Sequence, residues 1–375
     1  MKSSGYLLLT LFFICIGCKK KEAESDKKTG NSVEFADGLE IRNYGTYTVM
    51  KVTKPWPEAT RTFTYVCGES KENIPDSLAQ YTFVKTPVQK MVVSSTTHIS
   101  SLVALRQSDK LIGFPNLDYI SSPEVRNLVT QGKIAELSDQ QSLNFEKTIN
   151  IEPEVIVGLS MDNETSKFNQ FEKVGIPVLY NADWVETSPL GKAEWVKFFG
   201  VLFGKQKEAD AYFKNIVSEY GKAKELVSTV KNSPSVLSGS VFQDIWYAPQ
   251  GESWMAAFIK DAKGTYIWGD TKGTGSLSLS LETVLEKGIN ADFWIGPGQF
   301  TTYEELGSAN KHYRQFRAFQ QHKVYSYSLK KGATGGIVFY EDAPNRPDQV
   351  LKDLIYILHP EVLPNYQPVF IEALQ

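Results

Sequence analysis

The side chains of this sequence that could do more than pack are four histidines, three cysteines, and a set of tryptophans, tyrosines and arginines. His98 follows Thr96 and Thr97 directly after a short β-branched run, where an imidazole could ligate a metal centre or equally serve as a helix-start or core residue. His312, His322 and His359 have no spacing that assembles a metal set. Trp184, Trp246, Tyr247 and Trp268 offer stiff, amphipathic surfaces for a planar ligand, and each would serve equally well in a core. Arg106, Arg314, Arg317 and Arg346 could pair with an anion. Arg314 and Arg317 lie three apart on one helical face, which is also a common solvated pattern. Signatures of catalysis are missing: there is no G-x-S-x-G elbow, H-E-x-x-H pair, P-loop or dinucleotide fingerprint. The glycine-rich run GDTKGTGS at 269–276 lacks the Walker lysine-threonine register and reads as a cleft-edge or surface loop. An enzyme is not expected; no catalytic residue, metal site or cofactor is assigned.

Something must position these groups. At 375 residues, with 42% hydrophobic and 22% charged residues, the chain has the composition of an ordered globular body of two or three domain-sized units. Its net charge of −3, from 40 basic and 43 acidic residues, supplies no long-range positive field, so no nucleic-acid partner is expected. Residues 44–49 and 62–66 alternate as strands of an N-terminal hairpin. Beyond residue 90, strand-like runs at 91–93, 110–114, 153–158 and 177–180 alternate with helical stretches, the pattern of a mainly parallel sheet. The alternation resumes at 236–242, 291–296 and 324–327. Between them, Trp195, Phe198, Phe199, Leu202, Ala209, Tyr212, Phe213, Ile216 and Val217 recur at helical spacing, predicting one long amphipathic helix kinked near Gly204. The expected fold is α/β: two Rossmann-like lobes, 33–188 and 233–375, joined by a helix over 189–232, with the ligand cleft between them. Loops at the carboxyl ends of parallel strands face such a cleft. That rule nominates Thr96, Thr97, His98, Asn116, Tyr119 and Trp184 from the first lobe. From the second it nominates Trp246, Tyr247, Trp268 and the loop from Phe300 to Tyr303.

The amino terminus carries a different signal. Lys2 precedes an apolar run from Tyr6 to Gly17 that is too short to span a bilayer comfortably, so residues 1–17 read as a secretory signal peptide. The sequence CIGC resembles the bacterial lipoprotein processing box, which would make Cys18 the lipidated first residue, although Cys15 stands where leucine is usual. Acyl chains on Cys18 would tether the protein to a membrane surface. The charged run over 18–32 is a flexible tether, and Cys67 is the one thiol left, so no disulfide is expected.

The run VVSSTTHISSLVALRQSDKLIGFPNLDYISSPEV, followed by NFEKTINIEPEVIVGL, resembles the N-lobe of the ABC-transporter substrate-binding proteins that serve iron–siderophore, haem and cobalamin uptake. SLSLETVLEKGINADFWIGPG and RPDQVLKDLIYILHPEVLP resemble units of their C-lobe, and the resemblance spans residues 88 to 365. It implies a periplasmic, lipid-anchored, monomeric receptor that captures a metal chelate and delivers it to a permease dimer with its ATPase subunits. By position it implies that Glu124 and Glu282 dock the permease. Within it, an iron(III)–siderophore is favoured as cargo over cobalamin, with haem third; the alternative on the same fold is a lipoprotein that binds a partner protein without transport. Thr97, His98, Tyr119, Trp184, Trp246, Tyr247, Trp268 and Arg317 are the expected ligand contacts.

Overall fold

The structure, a computed structural model, describes residues 30–139, 142–159 and 166–375. The signal segment, Cys18 and most of the tether lie outside the described residues. No helix among the described residues is long and apolar enough to cross a membrane.

Short β-branched runs form the first lobe's sheet, in the order Val178–Tyr180, Val155–Gly158, Met91–Val93, Leu111–Phe114, Ala135–Glu136, with every pair parallel. Met91–Val93 and Val155–Gly158 are buried along their whole length, as strands covered on both faces must be. Helices Thr96–Ala104, Pro123–Thr130, Phe145–Asn150 and Ser166–Lys173 alternate with these strands. The second lobe repeats the plan with Thr265–Tyr266, Ser235–Ser238, Phe293–Ile295 and Val324–Ser326 in parallel, closed by antiparallel Glu372–Ala373. A smaller antiparallel sheet of Ser240–Phe242, Ile245–Pro249 and Ser276–Leu279 extends this lobe.

The connection is helical in three pieces, Pro189–Glu194, Val196–Leu202 and Gln206–Leu226. At Gly204 the expected kink is a full break, because this residue adopts φ +65 and lets the chain leave one helix and start another. Gln206–Leu226 presents one buried stripe to both lobes: Phe213 and Ile216 join the first core, Tyr220 and Ala223 the second. The closing helix Pro347–Leu358 packs along it.

The N-terminal hairpin is present, with Tyr47–Val52 antiparallel to Phe63–Gly68. It belongs to a larger four-stranded sheet with Leu39–Asn43 and Thr82–Lys85 on its flanks. This sheet shares its core with the first lobe through Leu39, Ile41, Met50, Val52 and Tyr65. Tyr65 Oη accepts the backbone N–H of Tyr180 at 2.8 Å, seating the sheet against the edge strand of the lobe.

The lobes also touch directly. Glu341, fully buried on the C-lobe helix Val338–Asp342, accepts the backbone N–H groups of Ser121 (2.7 Å) and Ser122 (2.8 Å). Asn345 Nδ2 donates to Ser101 Oγ at 2.9 Å nearby.

Candidate functional site: an aromatic cleft between the lobes

Two adjoining cavities, about 800 Å³ and about 320 Å³, share Trp184, Lys192, Ser238, Pro249, Trp254, Met255 and Tyr327 and so form one continuous cleft between the lobes. The first lobe's wall begins at Trp184, in the 3-10 turn Asp183–Val185 that follows the strand ending at Tyr180. Asn181 Oδ1 accepts the Asp183 N–H at 3.0 Å and starts this turn. Lys192 Nζ then donates to the carbonyls of Asp183 and Trp184, both at 2.9 Å, and holds it closed. Burial lowers the Lys192 ammonium to about 8, opposed by the charges of Asp183 and Glu186.

The opposite wall is aromatic. Ser253 caps the helix Trp254–Asp261, placing the Trp254 ring at its first position, 5.2 Å from Lys192 Nζ, a cation–π contact across the cleft. Phe339 packs on Trp254 (5.9 Å between centroids) and stacks on Tyr327 at 4.7 Å, and the ring of Tyr340 stands on Tyr327 at 5.8 Å. Burial raises the Tyr327 phenol, so it remains a neutral donor. Gly239 and Gly296 bring backbone to the cleft floor with φ +96 and +70. A Cβ on Gly296 would lie 2.6 Å from the Tyr327 ring, so glycine there makes room for the aromatic wall.

Two buried polar atoms on the first wall have no protein partner, Trp184 Nε1 and Asp183 Oδ1. One is a donor and the other an acceptor, and both belong to residues that line the cavity. The arrangement suits a ligand with a broad apolar or planar body and a few polar atoms at fixed places. Among the described residues, no group of three or more histidines, cysteines, aspartates or glutamates could hold a metal ion.

Of the expected contacts, Thr97, Trp184 and Tyr247 line this cleft. The others lie elsewhere. Trp246 is a core residue: its ring stacks on Trp294 at 5.4 Å and its Nε1 donates to the Ser238 carbonyl. Residues 245–249 form a strand, not a loop, and its alternation turns Trp246 inward and Tyr247 outward. His98 is also buried, beside Phe199 at 5.6 Å, and burial lowers its pKa to about 4, so it is a neutral core imidazole. Trp268 is 4% exposed under the Lys287 ammonium, outside the cleft lining. Arg317 is held by Asp292 at 2.6 Å, at the amino end of a sheet strand and so away from the carboxyl-end cleft. Tyr119 is exposed on the first lobe, where Asp118 O accepts the Thr334 hydroxyl at the inter-lobe rim. Phe300 packs against the second core, and Tyr303 Oη accepts the Val324 N–H. Asn116 caps its own 3-10 turn.

Lys192, Trp254, Tyr327, Phe339 and Tyr340 also line the cleft and are not among the residues expected there. The turn GES before Trp254 was a readable helix-start signal; the others reach the cleft only through tertiary packing. The loop 269–276 does reach the cleft edge, with Thr274, Gly275 and Ser276.

Glu124 and Glu282 occupy matching positions. Each is the second residue of its helix, exposed, behind a serine (Ser122, Ser280) that caps the N–H of the third helical residue. Its own backbone N–H and the Ser280 hydroxyl hold the Glu282 carboxyl below the usual range.

The comparisons with known proteins agree with this architecture. An uncharacterized lipoprotein of Methanocaldococcus jannaschii is 27% identical over 301 residues, which are 78% of this chain and 69% of that protein. A periplasmic heme-binding protein of Pseudomonas aeruginosa superposes with TM-score 0.57 at 15% identity, covering 77% of this chain and all but 2% of the other, whose coverage is 98%. The ABC-type Fe3+-hydroxamate transport protein of Saccharomonospora viridis gives TM-score 0.52 at 16% identity, covering 73% of this chain and 94% of its own. The sequence pattern of the family described as periplasmic binding protein matches residues 91–329, well over half the chain, and the chain belongs to that family.

Proposed function

We propose that this protein is the substrate-binding lipoprotein of an ABC importer and that it carries a metal chelate, an iron(III)–siderophore before cobalamin or haem. The observation that carries this reading is the cleft itself. It is large, walled by Trp184, Trp254, Tyr327 and Phe339, and set between two lobes whose cores share one helix. Its aromatic faces match the organic shell of a chelate, and its polar rim, with Lys54, Glu58, Glu186 and Lys192, offers partners to polar groups of that shell. Solved proteins of this fold include a heme-binding protein and a ferric hydroxamate transport protein, which supports the ligand class. The lipid anchor on Cys18, delivery to a permease with ATPase subunits, and docking through Glu124 and Glu282 complete the proposal. Ligand entry requires only a small closure of the two walls.

Calorimetric titration of the fragment starting at residue 30 against a ferric hydroxamate, cyanocobalamin and haemin tests it. Saturable one-to-one binding of one of them, weakened at least tenfold by Trp184→Ala, is expected. Absence of binding to all three would refute the chelate reading.

A further inference from the structure

The four-stranded N-terminal sheet precedes the region that matches the family, and the solved relatives span nearly all of their own length on 73–77% of this chain. This sheet lies outside the family-matched residues, and the protein fastens it beside the cleft. Glu194, with no exposed surface, accepts the backbone N–H groups of Glu34 (2.9 Å), Phe35 (2.6 Å) and Ala36 (2.9 Å). Glu186 accepts the next two, from Asp37 (3.0 Å) and Gly38 (2.8 Å). Five consecutive amides are thus held by two carboxylates on the segment that also carries Lys192. Gly191 lets the strap lie close, since a Cβ there would sit 3.0 Å from the Phe35 carbonyl.

The consequence appears in the chain between the second and third strands. Trp56, 3% exposed, pins this loop against Tyr180 (6.0 Å between rings) and Phe63 (5.9 Å). Its neighbours Lys54, Pro57 and Glu58 then line the outer cleft, with Asp37 and Gly38 beside them and Phe242 and Thr274–Ser276 on the second lobe. Lys54 is more than half exposed and meets Asp37 only at 3.7 Å, a pair of little energetic worth that leaves its ammonium available. Glu58 is exposed with no ion pair among the described residues' salt bridges.

We propose that the N-terminal sheet is a third wall of the binding cleft, and that Lys54 and Glu58 select cargo by the charge at its periphery, Lys54 pairing with a carboxylate or other anionic group. The inner aromatic walls take the body of the ligand; the outer wall reads its edge. This inference rests on the chelate-receptor reading.

The test compares ligands of one body and two peripheral charges: haemin against its dimethyl ester, and a carboxylate-bearing ferric trihydroxamate against an uncharged one. Whichever pair the wild-type chain binds, Lys54→Glu should weaken the anionic member about tenfold relative to its neutral partner, and Glu58→Lys should shift the ratio the other way. In a second readout, maleimide labelling of the Lys54→Cys thiol should slow at least fivefold when the chelate is bound. If Trp184→Ala abolishes binding while Lys54→Glu and Glu58→Lys leave the ratio within twofold and labelling is unprotected, the sheet is scaffold alone and the inference fails. If the wild-type chain binds cyanocobalamin but neither pair, this inference fails and the receptor reading stands; if it binds none of them, the receptor reading fails and takes this inference with it.

Discussion

Removing the Glu194 carboxylate should loosen the N-terminal sheet, and the structure sets the size of the effect. Glu194 accepts three backbone N–H groups and pairs with Lys197 Nζ at 2.8 Å in a fully buried position. Hydrogen bonds to a charged group contribute about 1.5–3 kcal/mol each, which for three would reach roughly 4.5–9 kcal/mol. Glu34 and Phe35 are exposed, so water reclaims part of that loss. Lys197 keeps the Ser32 carbonyl at 2.7 Å and Asp210 at 3.6 Å. Breaking a buried pair from one side costs about 3–5 kcal/mol, and we expect Glu194→Ala to fall there. At ~2 °C per kcal/mol for a chain of this size, the first thermal transition should drop by about 6–10 °C. Glu194→Gln, which keeps one acceptor oxygen, should lose about half as much. Limited proteolysis should release the segment before residue 90 faster in the alanine variant, while the two lobes resist. A melting midpoint within 1 °C of wild type would refute the claim that this carboxylate fastens the sheet.

The remaining predictions concern the lobe contact, the core and the docking face. Desolvation raises the Glu341 carboxyl to about 7, with the Ser121 and Ser122 amides and the Asp342 charge acting on it as smaller influences. Between the ordinary glutamate pKa of about 4.3 and 7, the folded chain holds a proton that the unfolded chain has released, so this group's contribution falls as pH rises through that window. Glu341→Gln should therefore gain stability relative to wild type from pH 5 to pH 8; a difference that does not change with pH would contradict the assignment. His98, lowered to about 4 by burial, works in the opposite sense. Its contribution falls as pH drops from about 6.5 to 4, and His98→Phe should flatten the acid limb of the denaturation profile. Trp246→Phe should lower stability by about 2–4 kcal/mol through lost packing and an unpaired Ser238 carbonyl, with ligand affinity unchanged within twofold. Glu124→Ala with Glu282→Ala should leave affinity intact and abolish delivery in an uptake assay; a loss of affinity would reject the docking role.

Much of the scaffold was legible because local pattern and tertiary role coincide there. The β-branched runs at 91–93 and 155–158 could be little other than buried parallel strands, and the alternation of strand and helix led to two lobes. The site was legible only in part, for reasons visible in particular residues. Trp246 and Tyr247 are neighbours of nearly equal promise in the sequence, and only the strand at 245–249 decides which of them faces the cleft. His98 follows the helix start where a ligand-facing residue belongs, yet its ring turns into the core beside Phe199. Lys192 gave no sign of importance, since its role depends on the carbonyls of Asp183 and Trp184 and on a ring from the other lobe. The hairpin at 44–66 was readable as strands, but nothing local marks Lys54 and Glu58 as cleft residues. That depends on Glu186 and Glu194, which hold Gly38 and Glu34 across sequence separations of 148 and 160.

The most direct test of the account is where the metal sits. Crystals of the fragment from residue 30, grown with whichever chelate titrates one-to-one, should be measured at the absorption edge of that metal. A single anomalous peak is expected in the cleft, with the chelate's organic shell against Trp184, Trp254 and Tyr327 and no protein side chain ligating the metal. A peak outside the cleft, or one coordinated directly by protein side chains, would contradict it.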